Sequence, residues 1–144
     1  MIERDYIMRM LQEFFNAIAK VMRRDIPGIE PDISEIQKRF NEMYNQFFRH
    51  PAELFYRISK EDILSELESE NRSERDVHAK IQMLSELLYQ DALIKSDAQE
   101  RLALLEKSLF LLEYLDRNSN TFSWDRGQRI GDIKKALAEV NISD

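Results

Sequence analysis

Residues 102–115 read LALLEKSLFLLEYL, and they lie in a longer segment that runs from Asp97 to about Arg117. The leucines recur at spacings of three and four residues, which is the period of an α-helix, and they occupy two of its sides. A helix that is apolar on two sides packs between neighbouring helices instead of at the edge of a domain. The segment therefore predicts the central helix of an all-α fold.

The remainder of the chain has the composition of a helical protein. Its 144 residues include only 3 Gly and 3 Pro, with 33% charged and 43% hydrophobic residues. The pattern predicts five to six helices in a single domain over 1–144, with N-terminal helices in 1–67 and a three-helix portion in 73–144. The polar run Glu68–Arg75 is the predicted linker between the two parts.

Helix starts and stops are marked by local signals. Asp32 followed by Glu35 forms a capping box, and Ser59, Ser73 and Ser123 each precede an apolar helical pattern. The first helix, about residues 3–24, is stopped by the Pro-rich stretch 26–31. Gly127 and Gly131 lie four residues apart in the last helix, and this spacing predicts a close backbone contact with a neighbouring helix.

Charge and cysteine content exclude several classes of protein. The net charge of -6 and the pI of about 5.1 argue against a nucleic-acid-binding module, which usually carries a basic face. A chain without cysteine has no thiolate metal site and suits a reducing cytosol. Charged residues interrupt every apolar run well before the roughly 18 residues that a membrane span requires. We expect a cytoplasmic protein.

Motifs for catalysis and metal binding are weak. Residues 116–120, DRNSN, match three ligand positions of an EF-hand loop, but Thr121 replaces the turn glycine and Gly127 replaces the final glutamate. A plain connecting loop fits these residues better. His50 and His78 form no zinc-protease or di-iron motif, and the glycines form no phosphate loop. We predict no catalytic residue, no metal and no cofactor, although an enzyme is not excluded.

Three stretches resemble a known family: DYIMRML (5–11), ELLYQDALIK (86–95) and LLEYLDRNSNTFSWDRGQRI (111–130). The family consists of small, functionally uncharacterised bacterial helical proteins whose second half is similar to tetratricopeptide repeats. The resemblance implies a stacked helix-turn-helix scaffold in the C-terminal half and no particular activity.

A polar stripe runs along the predicted central helix. Gln99, Glu106 and Glu113 are spaced by seven residues and therefore share one face. The stripe is either the floor of a groove that receives a basic or helical peptide, or a solvated strip between two packed sides.

The first helix is apolar over roughly 160° of its circumference, whereas a single docking stripe needs about 100°. Three surfaces are alternatives for burying the additional apolar area of this helix: the rest of the chain, a second copy in a symmetric homodimer, or the surface of a membrane. Acidic residues near the N-terminus, including Asp5 and Glu13, weaken the membrane alternative. The predicted dimer interface comprises Ile7, Met8, Leu11, Phe15, Ile18 and Met22.

Two functions follow from these patterns. The leading prediction is a homodimeric interaction or assembly module that binds a protein or peptide partner. The alternative is a small-molecule binding protein or enzyme with a pocket between helices.

Overall fold

The computed structural model describes residues 2–22, 32–71, 73–119 and 123–143. Within these ranges the ordered elements are all helices, without a β-strand, which confirms the all-α class. None of the helices in the described ranges combines the length and the low charge content that crossing a membrane demands. The elements are α1 (Ile2–Met22), α2 (Ile33–Phe48), α3 (Ala52–Arg57), α4 (Lys60–Glu70), α5 (Glu74–Leu93), α6 (Ala98–Asn118) and α7 (Trp124–Ser143).

The described ranges hold seven helices, so the predicted number of five to six was too low. Two of the seven, α3 and α4, are short and follow each other in residues 52–70. Ser59 lies between them with an extended backbone, and its side-chain oxygen accepts a hydrogen bond from the Asp62 N–H at 3.1 Å. This N-cap begins α4 as a separate helix instead of continuing α3.

The other helix starts lie where the sequence predicts them. Ser73 accepts a hydrogen bond from the Asp76 N–H at 3.1 Å, and Ser123 accepts one from the Arg126 N–H at 3.1 Å. Asp97 caps α6 in the same way. The predicted end of the first helix and the Pro-rich stretch 26–31 lie outside the described residues.

Contacts divide the chain into two compact units, an N-terminal unit (Met1–Ala52) and a C-terminal unit (Glu53–Asp144). The sequence prediction grouped α3 and α4 with the N-terminal helices and placed a linker at Glu68–Arg75. In the structure α4 continues to Glu70 and α5 begins at Glu74, so most of that polar run is helical.

In the N-terminal unit α1 packs against α2. The fully buried Phe14 of α1 meets Phe47 of α2 edge to face, with ring centroids 5.2 Å apart and an interplanar angle of 86°. Phe48 makes a second edge contact with Phe14 at 6.2 Å. These aromatic contacts fix which side of α1 faces the core.

In the C-terminal unit α6 packs against α4, α5 and α7, which confirms its predicted central position. Two buried serines mark the contact between α5 and α6, where the Ser108 hydroxyl donates to the Ser85 carbonyl oxygen at 2.7 Å. Small side chains let the two helices approach closely, and the hydrogen bond satisfies a hydroxyl that would otherwise be buried without a partner.

An arginine joins α7 to α5. Two guanidinium nitrogens of Arg129 donate to the two carboxylate oxygens of Glu86, at 2.8 and 3.0 Å. The third nitrogen donates to Asp132 at 2.8 Å, and the guanidinium lies 4.4 Å from the ring centroid of Tyr89. Burial raises the pKa of Tyr89, so this ring remains a neutral platform for the cation.

The glycines of α7 contradict the prediction of a close backbone contact. Gly127 and Gly131 are exposed, and no neighbouring atom lies within 4 Å of the position that a Cβ atom would occupy at either residue. Their spacing of four residues therefore reflects no helix packing within the described residues.

Candidate functional site

One side of α1 is buried by its own chain. Ile7, Met10, Phe14, Ile18 and Val21 are each at most 8% exposed. At 100° per residue these five side chains span about 80° of the circumference. Ile7 and Ile18, which the sequence grouped with the dimer interface, therefore belong to the core of the single chain, because they lie on the arc that faces inward.

The neighbouring arc of α1 carries apolar side chains that the chain leaves open. Met8 is 60% exposed and Met22 is 42% exposed, while Leu11, Phe15 and Ala19 are half-buried. These five residues span a further arc of about 80°, and we call them the α1 face. The predicted residues Met8, Leu11, Phe15 and Met22 are thus brought together on one surface.

The α1 face has an ordered centre and a polar rim. The Phe15 ring meets Phe14 edge to face at 5.1 Å and 87°, which restrains its position at the middle of the face. Beyond the face, Gln12, Asn16 and Asp5 are exposed. An apolar centre bordered by polar residues is the usual composition of a protein contact surface.

The predicted stripe of Gln99, Glu106 and Glu113 is also present on one face of α6. Gln99 and Glu106 are exposed, and Glu113 is half-buried with its carboxylate 3.9 Å from the Lys134 ammonium of α7. Seven residues of helix rise about 10.5 Å, so the three polar groups do not converge on a single ligand atom. They could contact only an extended partner.

At the start of α6 the structure contains a cleft of about 290 Å³ that Gln99 shares with residues of α3 and of the loop after α5. Its lining comprises Tyr56, Lys95, Gln99, Glu100, Ala103 and Leu104. Its volume is near the lower end of the range for small-molecule sites. The cleft combines an apolar wall with several polar groups.

A buried carboxylate orders one wall of the cleft. Asp91 is fully buried, and it accepts a hydrogen bond from the Tyr56 hydroxyl. The Lys95 ammonium lies 3.1 Å from the second Asp91 oxygen and donates to the Tyr56 hydroxyl at 3.2 Å. A buried carboxylate requires such partners, because an unpaired charge is strongly disfavoured in the interior.

Sequence reasoning missed this cluster, although α5 contains a signal for it. Asp91 follows Leu84, Leu87 and Leu88 at spacings of seven, four and three residues, so it lies on the buried face of the helix. A carboxylate at such a position indicates a polar partner elsewhere in the fold.

Lys107 is a second buried charge in the C-terminal unit. Its ammonium donates to the carbonyl oxygens of Phe55 at 2.9 Å and Tyr56 at 2.8 Å, in the last turn of α3. Burial lowers the pKa of Lys107. A cation at the C-terminus of a helix is favoured by the helix dipole and by unpaired carbonyl groups. The residue therefore stabilises the end of α3.

Residues of the weak metal motif are engaged in local contacts. Asp116 forms an ion pair with Arg126 at 2.8 Å, and the Asn118 side chain donates to the Tyr114 carbonyl oxygen at 2.9 Å. The motif's Asn120 and Thr121 lie outside the described residues. His78 lies 3.8 Å from Glu74 on the same helix, the surface arrangement that its spacing predicts.

The chain matches no known protein family, no curated protein and no solved structure. Its function is therefore inferred from the burial and contacts of its own residues.

Proposed function

We propose that the protein is a homodimeric interaction module whose two copies meet through the α1 face. The observation that carries this proposal is the exposure of Met8 and Met22 on either side of Phe15, directly beside the arc that the chain buries. Contiguous apolar surface of this kind usually marks a contact site.

Several properties of the α1 face favour a second copy over other partners. Methionine adapts its shape to the opposing surface, and twofold dimers are the commonest protein assembly. The charged side chains around α1 are balanced, with Asp5 and Glu13 against Arg9 and Lys20. An anionic membrane surface attracts an excess of basic residues, whereas the described helix Ile2–Met22 contains three acidic and three basic residues.

The dimer is expected to be weak. Five side chains per copy cover less than the roughly 800 Å² per partner of a standard interface. We expect a dissociation constant in the micromolar range, which corresponds to about 8 kcal/mol at 1 μM.

The C-terminal unit supplies the second half of the proposed module, a stack of antiparallel helices that presents the α6 stripe to a basic or helical peptide. Support comes from the packing of consecutive helices, α5 on α6 and α6 on α7. Helix α5 begins at Glu74 and α7 at Trp124, 50 residues later, whereas a tetratricopeptide repeats every 34 residues. The proposed scaffold is therefore built from longer helices than those of tetratricopeptide repeats.

The test is the solution mass by light scattering over a range of about 1 to 200 μM, chosen to bracket a micromolar dimer. The wild-type mass should rise from one chain to two over this range. Met8→Glu with Met22→Glu places charges on exposed positions, so the variant should stay folded and remain monomeric at concentrations at least tenfold higher.

Leu93→Glu is the matched control. Leu93 is 42% exposed, the same fraction as Met22, but it lies on α5 in the C-terminal unit. This variant should dimerise like the wild type. A wild type that stays monomeric at the highest concentration, or a double variant that dimerises normally, would refute the proposed dimer.

Binding of a small molecule is the second candidate function, and the ordered Tyr56 hydroxyl and Lys95 ammonium at the cleft are the observation that favours it. The methyl groups of Ala103 and Leu104 line the same cleft, so their NMR signals report on its occupancy. Ala103→Trp fills the cleft. In this variant a bound compound should no longer shift the methyl signals of Leu104. The mass of the dimer should be unchanged.

A further inference from the structure

We infer that the two α1 helices of the dimer run antiparallel, in the register that stacks Phe15 on Phe15 of the second copy. This inference rests on the proposed function, because it concerns the geometry of the same α1 face. Three features of α1 support it: the spacing of its exposed residues, the sizes of its half-buried residues, and the direction of its helix dipole.

The exposed residues of α1 are arranged symmetrically about Phe15. Met8 lies seven residues before it and Met22 seven residues after it, so each methionine is about 10.5 Å from Phe15 along the helix axis. Reversing the helix direction exchanges the two methionines and leaves Phe15 in place. A twofold axis beside Phe15 therefore sets Met8 of each copy against Met22 of the other.

The half-buried residues distinguish the two directions. Leu11 lies four residues before Phe15 and Ala19 four residues after it. In an antiparallel pair the large Leu11 side chain is level with the small Ala19 of the second copy. A parallel pair sets leucine against leucine at one level and alanine against alanine at the other, which leaves crowding at the first and a void at the second.

The helix ends favour the same direction. Antiparallel helices bring opposite ends of the two helix dipoles together, whereas parallel helices bring like ends together. This effect reinforces the preference that packing sets.

Disulfide crosslinking tests the direction directly, because the chain of 144 residues contains no native cysteine. Met8→Cys and Met22→Cys are prepared as separate variants of the 144-residue chain and oxidised alone or as an equimolar mixture. In the antiparallel register, two Met8→Cys sites are about 21 Å apart along the helix axis, too far for a disulfide. Each variant alone should therefore give only background crosslinking.

The mixture should give far more crosslinked product than either variant alone, because random association makes about half of the dimers mixed pairs at any moment. Leu93→Cys, on the other unit, sets the background. Efficient crosslinking of Met8→Cys alone would show parallel helices and overturn the inferred register while leaving the dimer in place. A dimeric mass without any of these products would overturn the register by placing the contact elsewhere. A monomeric mass would instead refute the proposed function itself.

Discussion

Replacing the two glycines of α7 by alanine should stabilise the protein. Gly127 and Gly131 are exposed, neither has a left-handed backbone conformation, and an added Cβ atom would meet no neighbouring atom within 4 Å. The methyl group of alanine therefore fits both sites without strain. Alanine also restricts the unfolded chain, which lowers the entropy lost when the helix forms.

The expected magnitude follows from the position of each glycine in the helix. Gly131 lies in the interior of α7, where alanine is favoured over glycine by about 1 kcal/mol. Gly127 lies at the end of the first turn, and we expect about 0.5 to 1 kcal/mol there. The double variant should gain about 1.5 to 2 kcal/mol in the free energy of unfolding, or roughly 5 to 7 °C in Tm.

Urea and thermal unfolding followed by far-ultraviolet circular dichroism measure this gain. Ala138→Gly is the matched control, because Ala138 is an exposed alanine of the same helix. It should lose about 1 kcal/mol. If Ala138→Gly behaves in this way while the glycine replacements destabilise the protein or weaken its dimer, then the α7 glycines contact a second copy, and the reasoning from open space is refuted.

Two further predictions concern buried and exposed charges of the C-terminal unit. Because burial lowers the pKa of Lys107 below its ordinary 10.5, the unfolded state binds more protons just below pH 10.5, so raising the pH towards that value stabilises the fold. Lys107→Met removes this contribution. In urea titrations the free energy of unfolding of the wild type, relative to that of the variant, should therefore rise with pH. A difference between the two that stays constant with pH would contradict the lowered pKa of Lys107. Glu86→Ala removes the bidentate partner of Arg129 and should cost about 1 to 2 kcal/mol. Glu113→Ala breaks an exposed pair with Lys134 and should cost at most about 0.5 kcal/mol, so equal losses in thermal unfolding would contradict this ranking.

Helix positions were predictable because their signals are local. Ser73, Asp97 and Ser123 mark helix starts through hydrogen bonds to N–H groups three residues away. Such a bond depends on a few consecutive residues, so the sequence displays it directly. Ser59 gives the same signal at the start of α4.

Contacts between distant residues were not predictable from one sequence. The Tyr56 hydroxyl meets Asp91 across 35 positions, and Lys107 reaches the end of α3 across more than 50. No short stretch of sequence specifies which distant residue will pair with a buried charge. The spacing of Gly127 and Gly131 gave a wrong prediction of a close helix contact. A glycine spacing that is typical of such contacts also occurs where, among the described residues, no contact is made.

The candidate surface on α1 was predictable in part. Helical periodicity identifies the residues that share a face, and Met8, Phe15 and Met22 do lie together. The boundary between the buried and the open arc depends on how much of the circumference the rest of the chain covers. Ile7 and Ile18 fall on the covered side of that boundary, which sequence periodicity alone does not locate.

The α1 face and the α6 stripe belong to different units of the chain. A dimer held through α1 therefore carries two copies of the stripe, and a ligand with two recognition segments could engage both at once. The second engagement would then occur at a high effective concentration set by the connection between the segments. A ligand with two recognition segments would therefore dissociate slowly even if each segment alone binds weakly. A ligand with one segment would dissociate quickly.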